Sequence, residues 1–280
     1  MKKIILFFLF CAAANSLTFA QIKTPASSPT ASLTQMVGLA KVSIEYSRPA
    51  VRGRKIFGDL VPFGKVWRTG ANKITTIAFD QAVLLNGQKI AAGSYALLTI
   101  PGQTTWTIIF NSDDKQWGAY DYDPKKDVLR FDVPAEKAVP KVENMDISVE
   151  QIDPINANVV IAWAKTAVRF KVTHDADEQI MAEIKAKTAK ADCSTDTYFD
   201  AADYYYEKGI ELDQALAWAE KVVANDKKYW TYQLRARILA KMGQCDRAVA
   251  DAKISLEMAK KDGDDSYVKK NEAILKQCGK

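Results

Sequence analysis

Residues 83–90 read Val-Leu-Leu-Asn-Gly-Gln-Lys-Ile. Asn86-Gly87 accepts the positive φ of a two-residue type I′ turn, so the octapeptide predicts a β-hairpin. The same period of two recurs on both sides. Val42, Ile44 and Tyr46 alternate with Lys41, Ser43 and Glu45, and Ile77 and Phe79 alternate with Thr76 and Ala78. Tyr95–Ile100 and Trp106–Phe110 flank Pro101-Gly102 as two further strands. After a wetter insert, Ile147 and Val149 alternate with Asp146, Ser148 and Glu150; Val159, Ile161 and Trp163 follow, then Val168, Phe170 and Val172. About eight short strands joined by tight turns predict an antiparallel sandwich or barrel. The alternating helices that a parallel sheet requires are not found here.

Beyond Val172 the period becomes helical. Ile180, Met181 and Ile184 share one helical face, and helices are predicted at Thr197–Lys208, Asp213–Ala224, Lys228–Met242, Asp246–Lys261 and Ser266–Gln277. Gly209 and Gly243 suit left-handed helix ends, and Asp246 and Asp265 suit caps. Tyr198, Ala202, Tyr205, Gly209, Ala215 and Ala219 recur as Tyr232, Ala236, Leu239, Gly243, Ala248 and Ala252, offset by 34 residues and by 33 after the first glycine. That period is the tetratricopeptide spacing, and the segment resembles one and a half to two such repeats; a generic helical bundle is the alternative. The expected fold is therefore an all-β domain over 33–173 followed by an all-α, tetratricopeptide-like domain over 174–280. Cys245 starts one helix and Cys278 ends the next, so antiparallel packing makes the two ends neighbours. A Cys245–Cys278 disulfide is expected, stabilising the pair by ~3 kcal/mol in the entropic account.

The first 20 residues have the layout of a signal peptide: Lys2 and Lys3, an apolar run from Ile4 to Ala14, and Thr18-Phe19-Ala20 before the cleavage point. The apolar run is short for a membrane span. Removal of residues 1–20 leaves 260 residues with 37 basic and 34 acidic side chains. So balanced a charge gives no reason to expect nucleic-acid or membrane binding. Residues 21–32, rich in Pro, Ser, Thr and Ala, read as a flexible linker. The expected location is the periplasm, cell envelope or extracellular space. Cys193, Cys245 and Cys278 then sit in an oxidising compartment as one pair and one free thiol.

The segment Glu45–Thr76 interrupts the strand pattern. It carries Arg48, Arg52, Arg54 and Arg68 with three lysines, against only Glu45 and Asp59. Gly53, Gly58, Gly64, Gly70, Pro49 and Pro62 punctuate it, while Phe57, Phe63 and Trp67 make it too apolar for a solvated linker. Such a stretch predicts a structured loop packed on the sheet, holding guanidinium groups in place. Two roles compete for it. Arg48, Arg54 and Arg68 could staple irregular backbone by pairing with Glu45, Asp59 or Asp80 and with loose carbonyls. Alternatively they donate to an anionic or polyhydroxyl ligand, with Asn72 orienting it and Trp67 or Tyr46 offering a stacking face.

The same residues carry a resemblance. Tyr46-Ser47-Arg48-Pro49, Gly53-Arg54, Phe57-Gly58, Leu60-Val61-Pro62 and Trp67-Arg68-Thr69-Gly70-Ala71-Asn72 are similar to the signature of the family called domain of unknown function twenty-nine-eleven. The similarity runs from about Pro25 to Val172 and takes in Ala92-Gly93-Ser94-Tyr95, Ile100-Pro101-Gly102, Trp106 and Trp117-Gly118. It implies a secreted bacterial protein and a fold family, and no activity.

Catalytic residue types are scarce. His174 is the sole histidine, which excludes a multi-histidine metal site and suits a linker role. There is no Gly-x-Ser-x-Gly elbow, no phosphate loop and no Cys-x-x-Cys pair. Asp113, Asp121 and Asp123 cluster with Trp117, Tyr120 and Tyr122 in an insert. Two such acids could serve glycoside hydrolysis or hold Ca²⁺, and an aromatic, acidic loop could stack a sugar; a solvated turn-rich loop explains them equally. The expectation is an exported binding or scaffold protein. Its loop 45–76 takes an anionic or carbohydrate ligand, its helical tail contacts a protein or peptide, and it needs no metal or cofactor. A carboxylate-based hydrolase of glycans or envelope polymers and a purely structural envelope protein are the alternatives.

Overall fold

Asn86 and Gly87 both have positive φ, 46° and 83°, and the hairpin closes around them. Asn86 also ties the hairpin to the chain 85 residues later, since its Oδ1 accepts the Lys171 amide at 2.7 Å. The computed structural model describes residues 24–279, so the signal-peptide span lies outside the described residues. The chain divides into two compact units, Met1–Asp175 and Ala176–Lys280.

Among the described residues the first unit is built from nine strands: β1 (Thr30–Val37), β2 (Ala40–Ser47), β3 (Thr76–Phe79), β4 (Val83–Leu85), β5 (Gln88–Ile90), β6 (Gly93–Ile100), β7 (Thr105–Asn111), β8 (Asp127–Asp153) and β9 (Asn156–Thr173). They pair antiparallel in the order β1-β2-β3-β6-β7-β8-β9-β4-β5. The sheet is open rather than a barrel, with β1 and β5 as its edges. Alternation places the apolar side chains as the sequence pattern requires: β2 buries Val42, Ile44 and Tyr46 and exposes Lys41 and Glu45. Trp106, Phe110 and Phe170 fill one continuous core drawn from strands along the whole sheet.

Two spans differ from the sequence reading. Thr30, Ala31 and Ser32, expected in the linker, are strand residues opposite Ser47, Tyr46 and Glu45. The wetter insert ends at Lys126, and residues 127–153 then run as a single strand of 27 residues. Its first part, to Pro134, pairs with β7 and the remainder with β9. Pro134, Pro140 and a run of Lys and Glu conceal its alternation, and its register with β9 shifts three times.

The second unit contains α1 (Asp177–Thr188), α2 (Thr195–Lys208), α3 (Leu212–Asn225), α4 (Tyr229–Lys241), α5 (Cys245–Asp262) and α6 (Asp265–Gln277). From α2 to α4 the starts are 34 residues apart, and from α3 to α5 they are 33 apart. Ala202, Ala215, Ala219, Ala236, Ala248 and Ala252 are fully buried, which lets neighbouring helix backbones approach closely. Gly209 and Gly243 have positive φ at their helix ends. The caps fall beside the expected residues: Asp264, not Asp265, accepts the amides of Ser266 and Tyr267, and Gln244 rather than Asp246 stands at the start of α5. Cys245 and Cys278 form a disulfide, with Cα atoms 5.3 Å apart. No described helix is long and apolar enough to cross a membrane.

Candidate functional site

Between β2 and β3 the chain leaves the sheet for the glycine-broken loop 48–75, and the loop is fastened to the sheet along its length. Val51 donates its amide to Glu143 O at 2.8 Å, Met145 donates to Pro49 O at 2.9 Å, and Trp67 and Thr99 exchange amide hydrogen bonds at 2.7 and 2.9 Å. Phe57 and Trp67 insert into an aromatic cluster with Trp106 and Trp163. Phe63, the third apolar residue of the loop, stays outside that cluster, 37% exposed, and its ring covers Gly58. Arg52, Thr69 and Asn72 have left-handed backbone, φ 47°, 53° and 56°. For a β-branched residue such as Thr69 this is costly, and it persists because buried hydrogen bonds over-determine it. Thr69 Oγ1 meets Thr99 Oγ1 at 3.1 Å, and Thr75 Oγ1 donates to Thr69 O at 2.7 Å.

The guanidinium groups divide into two roles. Arg48 is a staple: its Nε donates to Met145 O at 3.0 Å and its Nη2 pairs with Asp146 at 2.9 Å. Asp146 replaces the partners expected from the sequence, Glu45, Asp59 and Asp80. Arg54 turns back on its own loop, donating to Val51 O at 3.1 Å and Ala50 O at 2.6 Å. Arg68 is different, because its Nε is buried with no hydrogen-bond partner.

The residues expected to form one pocket line two. Arg54, Trp67 and Arg68 face a cavity of about 220 Å³ together with Ser28, Val61 and Trp163. Two guanidinium groups line it and no carboxylate does. Tyr46 and Asn72 line a second cavity of about 370 Å³ with Glu45, Ser47, Lys73 and Trp117. Tyr46 is almost fully buried, and its hydroxyl accepts the Ile147 amide at 2.9 Å; burial pushes its phenol up. The Trp67 indole N–H is already given to Gly70 O at 3.1 Å, and Asn72 Nδ2 donates to Ser28 O at 3.1 Å. Arg48 lines neither cavity.

The acidic insert uses its carboxylates locally. Asp113 pairs with Lys126 at 2.7 Å, and that hydrogen bond holds its carboxyl below the ordinary range. Asp123 caps the short 3₁₀ turn at Pro124–Lys126 by accepting the Lys125 amide at 2.9 Å. Asp121 is exposed. Among the described residues no group of three or more His, Cys, Asp or Glu side chains could hold a metal ion. His174 is buried, and its Nδ1 accepts the Leu39 amide at 3.2 Å, a structural position at the end of the β unit.

Trp163 is the cavity residue the sequence reading did not single out. It was legible only as an inward position of β9, in step with Val159 and Ile161, and nothing in its spacing points to Trp67.

The model of the family described as protein of unknown function (DUF2911) matches residues 28–172, just over half of the chain. The chain belongs to this family. No curated protein and no solved structure matches it. The DUF2911 span begins at Ser28 and encloses every residue that lines the smaller cavity. It also encloses the larger cavity except for Ala26, whereas the helical unit lies beyond it.

Proposed function

We propose that this DUF2911 protein is an exported binding protein whose smaller cavity takes a small anion, such as a carboxylate or a phosphate ester. One observation carries this reading. Arg68, whose Nε is buried without a hydrogen-bond partner, lines a cavity together with Arg54, and no carboxylate lines it. Buried polar atoms are nearly always paired in folded proteins, and a guanidinium satisfies a planar anion through two parallel hydrogen bonds. The Trp67 and Trp163 rings supply a low-dielectric wall that strengthens such a contact. The left-handed Thr69 next to Arg68 is the kind of fixed backbone that holds a side chain ready for a ligand. Export is supported by the layout of residues 1–20 and by the Cys245–Cys278 disulfide, which suits an oxidising compartment. The paired helices of the second unit suit a contact with a protein or peptide.

The test is thermal unfolding of the purified protein with inorganic phosphate, acetate and glucose 6-phosphate. A ligand that binds the folded state raises the melting temperature. The reading expects at least one of the three to do so, and Arg68→Ala to abolish the rise while leaving a cooperative transition. If Arg68→Ala instead unfolds the protein, Arg68 is a staple like Arg48 and the reading fails.

A further inference from the structure

The larger cavity has a different chemistry from the arginine-lined one. Trp117 stands at it, 60% exposed, and Tyr120 of the same turn is 83% exposed. Two exposed aromatic rings on one turn offer an apolar face beside the cavity. Glu45 and Lys73 line the same cavity, both exposed, and their side chains make no hydrogen bond or ion pair among the described residues. Asn72 and Ser47 add to the polar lining and are held to each other by an Nδ2–Oγ hydrogen bond of 3.4 Å.

We infer that this cavity is a binding site for a neutral carbohydrate. A carboxylate only accepts hydrogen bonds, an ammonium only donates them, and hydroxyl and amide groups do both. Glu45, Lys73, Asn72 and Ser47 therefore match the alternating donors and acceptors of neighbouring sugar hydroxyls. Glu45 and Lys73 cancel in charge, which removes any preference for an anion and separates this site from the one containing Arg54 and Arg68. Trp117 supplies a flat apolar surface for the C–H face of a sugar ring, as ligand sites commonly pair an aromatic wall with a few polar groups. The cavity volume of about 370 Å³ has room for one to two sugar rings. The segment 70–74 is the wall between the two cavities, with Gly70 and Ala71 on the arginine side and Asn72, Lys73 and Ile74 on the other.

Isothermal titration of the purified protein with cellohexaose, xylohexaose, laminarihexaose and chitotetraose tests the inference. At least one of the four is expected to bind saturably. Trp117→Ala should weaken that binding roughly tenfold, the scale of one aromatic contact, while Trp117→Phe keeps most of it. Lys73→Ala should weaken it as well. Saturable binding by none of the four overturns the inference, as does binding that survives Trp117→Ala. Because the probes are uncharged, their result is independent of the anion measurements.

Discussion

The indole of Trp67 lies nearly parallel to that of Trp163, with ring centroids 5.9 Å apart and planes inclined by 17°. One ring belongs to the irregular loop and the other to β9, so the stack joins the least regular part of the β unit to one of its longest strands. Both rings are almost fully buried. Trp163→Ala is expected to cost about 3–5 kcal/mol, the usual range for removing a core aromatic. A double-mutant cycle with Trp67→Ala should give a coupling of about 0.5–1.5 kcal/mol. Urea midpoints of the four proteins measure it, and additive losses would show that the rings do not support one another.

The two arginines, one stapled and one unpartnered, should respond in opposite ways. The Arg48–Asp146 pair is more than a third exposed at both side chains, so solvent screens it and its share is small. With its hydrogen bond to Met145 O included, Arg48→Ala should lower stability by about 1 kcal/mol and leave anion binding intact. Arg68→Ala should change stability by less than about 1 kcal/mol, because no hydrogen bond to its Nε is lost. It should remove the response to anions. Urea unfolding with and without phosphate separates the two.

Reduction of the Cys245–Cys278 bond should weaken the helical unit. The bridge spans 33 residues, and in the entropic account a loop of that size is worth about 3–4 kcal/mol. Adding dithiothreitol, or replacing both cysteines with serine, should lower the helical melting transition followed by far-ultraviolet circular dichroism. An unchanged transition would mean that helix packing alone sets the stability there.

Acid should loosen the contact between α1 and α2. The hydrogen bond from Lys208, followed by that of Tyr204, holds the Asp177 carboxyl below its ordinary value. The folded state therefore has the lower pKa. Its contribution is present above the ordinary carboxylate pKa of about 4 and disappears as pH falls through the folded value. Asp177 and Lys208 are both more than a third exposed, so the effect is small and salt weakens it. Lys208→Gln should be less stable than the parent at neutral pH and converge with it in acid, in low salt, as measured by urea unfolding across pH. Parallel curves would assign no role to this pair.

Much of the architecture was legible because period and punctuation report local structure. Asn86-Gly87 could only be a tight turn, the alternation in β2 and β9 could only bury one face, and the glycine pair 34 residues apart marked helix ends. What escaped was decided by distant partners. Arg48 meets a carboxylate 98 residues away, and no local pattern distinguishes Asp146 from Asp80. The division of the arginine loop between two cavities depends on where the segment 70–74 crosses, which is a matter of loop path and not of composition. Asp113 and Asp123 read as chemistry because they cluster beside aromatic residues, yet both are engaged within the insert, Asp113 with the Lys126 side chain and Asp123 with the Lys125 amide.

The length of β8 sets the order in which the β unit can be assembled. It is the strand that pairs with both β7 and β9, and β4 and β5 reach the rest of the sheet only through β9, so the two sides of the sheet join only once β9 has been made. The arginine loop emerges far earlier and must wait for Glu143, Met145 and Trp163 before its backbone is fixed. Its cavity is thus a late product of folding, complete only when the last strand of the β unit has delivered Trp163 to it.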